Sequence, residues 1–133
     1  ERQAEADVVP AARHFGLGVL PYFPLANGLL TGKVRQGQPI PAGTRLSGRQ
    51  GYVTDEKLAK VEALIAWAQD RGVTLLETAI GALAAHPGCS SVIAGATSAE
   101  QVKANAAAAD WTPTEAERAE IDAIVPPPPP PVQ

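Results

Sequence analysis

Cysteine occurs once in 133 residues, as Cys89. A single thiol forms no internal disulfide and, alone, no cysteine-based zinc site. A reducing cytoplasm is therefore the expected compartment. Aromatic residues make up 5% of the chain, which leaves little bulk for one large core. A strong excess of either charge is also missing, with 11 Lys and Arg against 14 Asp and Glu. That balance argues against a nucleic-acid binder working by counterion release. No apolar run approaches the roughly 18 residues that a membrane-spanning helix needs. Glu1 opens a polar, charged segment, so no signal peptide is visible. Neither G-x-G-x-x-G nor G-x-x-x-x-G-K-[ST] is present, which removes the Rossmann and P-loop readings.

What is present suits a folded protein. Apolar residues are 45% and charged residues 19%, enough for a core and against disorder throughout. The length is a prior of one domain. Alanine occurs 25 times, and side chains that small suit close helix packing.

Residues 1–15 read as a helix, with Ala4, Val8, Ala11, Ala12 and Phe15 at three- and four-residue steps. Pro10 counts against it, and Gly16 fits the position just past its end. Residues 17–22 form a short apolar run of the kind buried on both faces in parallel sheets. Residues 24–53 hold six glycines and prolines 24, 39 and 41, a long loop of the functional or disordered type. Thr54 caps a helix with the stripe Leu58, Val61, Leu64, Ile65 and Ala68, stopped by Gly72. Thr74 and Glu77 make the capping box of a second helix, which ends before Pro87. Residues 90–95 read as a second buried strand. Ser98 caps a helix through Ala109 with Gln101 as its box partner. Thr112, with Pro113 in the first helical position, starts a last helix ending near Val125. Residues 126–131 are six prolines, a polyproline II tail outside any core.

The order is helix, strand, long loop, two helices, strand, helix, helix, tail. Strands separated by helices point to βα units, a parallel sheet and the α/β class. Two parallel strands cannot cover themselves, because both faces and both edges need neighbours.

Two segments are specific. Residues 21–33 read PYFPLANGLLTGK and residues 90–108 read SSVIAGATSAEQVKANAAA. Together with PAGTR at 41–45 they resemble the aldo-keto reductase superfamily over residues 1–125. The resemblance implies part of a (β/α)8 TIM barrel, two parallel strands with surrounding helices, these being its seventh and eighth strands. A full barrel needs about 250 residues. It also implies NADP(H) as cofactor and reversible hydride transfer to an aldehyde or ketone in the complete protein. The family's Asp, Tyr, Lys and His tetrad sits on earlier strands. Tyr22, Lys33, His14 and His86 are the right types in the wrong places, so no catalytic residue carries over and the chain alone is expected to be inactive.

Part of the cofactor site does carry over. The loop after the seventh strand wraps the pyrophosphate in this family, which implicates Phe23, Pro24, Leu25, Ala26, Asn27 and Gly28, then Lys33. A glycine-rich turn can form an anion-binding nest, and Arg45 can offer a phosphate a bidentate fork. After the eighth strand, Gly95 permits close backbone approach. Thr97 and Ser98 precede a helix whose free N–H groups and dipole suit a phosphate. Gln101 and Asn105 share one helix face and can address an adenine edge. Phe23 stands where the family has serine, and Ala104 where it has glutamate, each removing a polar contact.

Plainer readings stand beside these. Gly28 and Gly32 serve as ordinary turn glycines, Gln101 as a cap, and Asn105 as a solvated polar residue. His14 and His86 complement helix ends, Cys89 is a small buried residue, and Trp67 and Trp111 pack. Glu115, Glu117 and Glu120 form a solvated face. The leading expectation is the cofactor-binding C-terminal part of an NADP-dependent reductase acting on a small-molecule carbonyl substrate. The alternative is a non-catalytic nucleotide-binding or interaction module. Either form must hide apolar strand faces, so self-association through exposed strand edges is expected, with no nucleic-acid or membrane partner.

Overall fold

The computed structural model describes residues 2–129. Five α-helices carry the described fold, and each boundary has a local cause. The first, α1 (Val8–His14), is shorter than the 1–15 pattern suggests. Residues 3–5 make one turn of 3-10 helix, and the Asp7 carboxylate then accepts the Val8 N–H at 2.6 Å. Pro10 falls in the first turn, where a backbone N–H has no helical acceptor to lose.

The longest helix, α2 (Asp55–Asp70), opens on Thr54, whose hydroxyl accepts the Lys57 N–H at 3.2 Å. Its buried stripe is Leu58, Val61, Leu64, Trp67 and Ala68. It closes with Gly72 at φ 69°, a left-handed turn in which Val73 N–H donates to Ala68 O and Gly72 N–H to Gln69 O. That 6→1 and 5→2 pair is a Schellman stop, and glycine takes its left-handed residue without steric cost. Next, α3 (Leu75–Ala84) starts with the full capping box, Thr74 N–H donating to Glu77 Oε2 at 2.7 Å.

Two later boundaries differ from the pattern. In α4 (Ala99–Ala108) Ser98 does cap, but Gln101 Oε1 accepts from Thr97 N–H at 2.8 Å, one residue upstream of the expected box partner. The last helix, α5 (Glu115–Ile124), is capped by Thr114 rather than Thr112. Glu117 completes that box at 2.7 Å. Pro113 is fully buried ahead of the helix rather than inside it. Two capping threonines flank that proline in sequence, and burial of its ring selects the second. Residues 126–129 are described without helix or strand, and the rest of the expected tail, 130–133, lies outside the described residues.

The long 24–53 connection is packed, not loose. Leu29, Val34 and Leu46 are buried with Leu58 and Val61 of α2, and Ile40, Tyr52 and Val53 cover them. The Arg35 guanidinium donates to both Glu62 oxygens at 2.7 and 2.5 Å, pinning the loop to α2. At the other side, Trp67 Nε1 and Arg71 both donate to Glu120, and Arg118 donates to Ala85 O, which docks α5 on α2 and α3. Glu120 and Glu117 therefore hold structure rather than forming only a solvated face. Trp67 packs edge-on to Trp111 at 6.2 Å between centroids.

The two expected strands run side by side and parallel, but only as isolated bridges, Val19 to Cys89 and Tyr22 to Ile93. Val19 N–H donates to Gly88 O, Ser90 N–H to Val19 O and Ile93 N–H to Pro21 O. Among the described residues no extended strand forms, so the partial barrel expected from sequence is here a helical layer on a two-bridge ribbon. Pro21 has no N–H to continue the ladder, and each segment has one neighbour where a parallel sheet supplies two. The uncovered face is visible: Leu17, Leu20, Tyr22, Phe23 and Ile93 are all more than half exposed.

Candidate functional site

Parallel pairing gives the ribbon two distinct ends. Tyr22 lies against Ile93, so the 23–28 turn and the 95–98 segment leave the same end, beyond the carboxyl ends of both segments. In α/β folds that end carries ligand sites. The opposite end holds a different feature. A cleft of about 480 Å³ there is lined by Glu5, Val9, Pro10, Arg13, His14 and His86. His86 Nδ1 faces Pro87 O at 3.0 Å and its Nε2 lies 3.7 Å from Glu5, so His86 works as a local tie. Cys89 is half-buried, and burial raises its thiol pKa, the reverse of what a reactive thiolate needs.

The 23–28 turn is conformationally specialised. Phe23, Ala26 and Asn27 have φ of 56°, 47° and 59°, and Gly28 has 99°. For a bulky residue such as Phe23 the left-handed region costs about 1–2 kcal/mol. Leu25, at φ −100° and ψ 17°, precedes left-handed Ala26. Ala26 N–H closes onto Phe23 O at 2.9 Å and Gly28 N–H onto Leu25 O at 2.8 Å. Pro24 is buried beneath, while Leu25, Ala26, Asn27 and Gly28 are half-buried. Thr31 donates to Gly28 O at 2.7 Å and leads into Lys33, which points a free cation outward.

The charge of the surrounding segment is one-sided. Residues 8–54 contain no Asp or Glu, and their cations are Arg13, Lys33, Arg35, Arg45 and Arg49. Arg35 is spent on Glu62, whose carboxyl is held down to about 2, first by the Arg35 hydrogen bonds and then by the Gln36 N–H. Lys33 and Arg45 are exposed and make no ion pair among the described residues. Buried Leu46 anchors the chain next to Arg45. Arg49 reaches the turn itself, its guanidinium 3.5 Å from Asn27 Oδ1. Reading the sequence motif by motif misses Arg49, and the signal that finds it is the acid-free run.

The second half gathers at residues 95–105. Asn105 Nδ2 lies 3.5 Å from Gly95 O, and Gln101 takes both the N–H and the hydroxyl of Thr97. Gly95, Thr97 and Gln101 are exposed and Asn105 is half-buried. A cleft of about 330 Å³ beside Asn105 is lined by Ile80, Ala84, Ser91, Val92, Ala94, Ala106 and Ala109. The N–H groups expected to be free at this helix start are engaged. Besides Thr97, Gln101 N–H donates to Ser98, and Glu100 places its carboxylate there, held below its usual range by its own N–H and Ser98. A phosphate at this point would meet that carboxylate rather than free N–H groups. The donor set therefore fits a dinucleotide unevenly: the 23–49 side offers the exposed cations Lys33 and Arg45, with the Ala26 and Gly28 N–H groups closed within the turn, and the 95–105 side offers amide side chains.

The Aldo/keto reductase family model matches residues 1–126. A probable voltage-gated potassium channel subunit beta of Oryza sativa subsp. japonica is 37% identical over 118 residues, 84% of this chain and 35% of that protein. The uncharacterized oxidoreductase YrpG of Bacillus subtilis (strain 168) is 35% identical over 103 residues, 77% of this chain and 30% of its own length. An L-glyceraldehyde 3-phosphate reductase of Escherichia coli (strain K12) is 34% identical over 99 residues, 68% of this chain and 28% of its own. The chain spans about a third of the length of these relatives. No helix among the described residues is long and apolar enough to cross a membrane. The chain belongs to the aldo/keto reductase family.

Proposed function

We propose that this chain is the part of an NADP(H)-dependent reductase that holds the pyrophosphate and adenosine ends of the cofactor. The observation that carries the reading is the common exit of the 23–28 turn and the 95–105 segment from one end of the parallel ribbon. Phe23, Pro24, Leu25, Ala26, Asn27 and Gly28 supply the turn, and Lys33 and Arg45 the cations. Gly95, Thr97, Gln101 and Asn105 frame the adenosine. When bound, the cofactor supplies hydride for reversible reduction of an aldehyde or ketone. The chain's own residues bind and orient it, and the proton donor and most of the carbonyl pocket come from elsewhere in the complete protein. Preference for NADP over NAD rests on Lys33 and Arg45, because the α4 start already holds Glu100. A reducing cytoplasm goes with this reading, since Cys89 is the sole cysteine.

Two measurements test it. Titration with NADPH, read by nucleotide fluorescence, should show saturable binding that Arg45→Ala and Gln101→Ala each weaken. Carbonyl-dependent NADPH oxidation by the isolated chain should be negligible. Turnover comparable to intact relatives would overturn the claim that the acid lies elsewhere.

The exposed apolar face favours a second reading, in which the chain is a non-catalytic nucleotide-binding or interaction module. That face suits pairing with a second polypeptide or a second copy, and one relative is named as a channel subunit. NADPH binding separates the first reading from a pure interaction scaffold, which has no use for the nucleotide.

A further inference from the structure

Four cations lie on the 24–53 connection, and the structure gives them different positions. Arg35 is consumed by a bidentate pair with Glu62. Lys33 and Arg45 are exposed and make no ion pair among the described residues. Arg49 alone of the four touches the 23–28 turn, through Asn27 Oδ1 at 3.5 Å. Its backbone is fixed, because Arg49 N–H donates to Leu46 O at 2.9 Å and Tyr52 N–H to Arg49 O at 2.9 Å. Leu46 is 1% exposed, so this base does not drift. The Asn27 contact itself is at the outer limit of a hydrogen bond, and its acceptor is a neutral amide. A phosphate oxygen offers the same guanidinium a shorter, charge-assisted bond of about twice the strength.

We infer that Arg49 is a phosphate ligand of the dinucleotide site, parked on Asn27 until the cofactor arrives. This rests on the dinucleotide reading above. On binding, the Arg49 side chain exchanges the Asn27 oxygen for a phosphate oxygen while its backbone stays in place. Asn27 then acts as a placeholder and not as a cofactor contact through its side chain.

The test is NADPH titration of the 133-residue chain and three variants, with inorganic pyrophosphate as competitor. Arg49→Ala should weaken NADPH binding about tenfold, the size expected when a hydrogen bond to a charged group is lost. It should weaken pyrophosphate competition as well. Arg49→Lys should recover part of the loss, since charge returns without the fork. Asn27→Gly keeps the left-handed backbone and removes the placeholder, so it should cost clearly less affinity than Arg49→Ala. Equal losses in Asn27→Gly and Arg49→Ala would mean that the contact merely braces the turn, and would overturn the inference. Unchanged affinity in Arg49→Ala would overturn it while leaving the dinucleotide reading intact. No NADPH binding by the unmodified chain would overturn both.

Discussion

Single residues carry consequences opposite to their usual ones at two places. Gly81 lies inside α3, where alanine normally stabilises a helix by about 1 kcal/mol. A Cβ on Gly81 would sit 2.4 Å from Trp111 O and 3.0 Å from Ala108 O, backbone that cannot swing away. Gly81→Ala should therefore destabilise the chain by about 1–3 kcal/mol, read as a lower urea midpoint. An unchanged or higher midpoint would show that α4 does not approach α3 so closely. Glu62 sets an acid limb. Its carboxyl falls from 4.5 to about 2 in the folded chain, held first by Arg35 and then by the Gln36 N–H. The folded value lies below the unfolded one, so the contribution is complete above pH 4.5 and fades as pH falls through about 2. Thermal melts of Glu62→Gln should show a shallower loss of stability across that window than the unmodified chain.

At the scale of elements, the helix starts were largely legible because caps are local chemistry. Thr54, Thr74 and Ser98 each place an oxygen on an N–H three residues on. The failures came where a distant contact chose between local options. Thr112 and Thr114 can both cap, and the buried Pro113 ring decides for Thr114. Gln101 could close a box on Ser98 but turns to Thr97. Thr114→Ala should cost about 1 kcal/mol in chemical denaturation, and Thr112→Ala should be close to neutral. A larger loss for Thr112→Ala would restore the simpler sequence assignment. The 24–53 connection was the hardest to read. Its glycines and prolines hide Leu29, Val34 and Leu46, whose burial depends on α2, later in the chain. The candidate site was legible where residue types repeat a family motif, at 21–33 and 90–105. Arg49 was not, because its role depends on a contact 22 residues away.

For the molecule as a whole, the parallel ribbon explains both the site and its incompleteness. It sends two binding segments out of one end, yet leaves Leu17, Leu20, Tyr22, Phe23 and Ile93 in water. Apolar faces and unpaired edges of that kind seek partners. Light scattering coupled to size exclusion should show concentration-dependent self-association of the isolated chain, and a monodisperse monomer would contradict it. Hydrogen exchange with saturating NADPH tests most directly where the dinucleotide lies. Slowed exchange is predicted in the 23–33, 45–49 and 95–105 amides, with the 5–14 and 86–89 amides at the opposite end unchanged. No protection, or protection confined to that opposite end, would contradict the account.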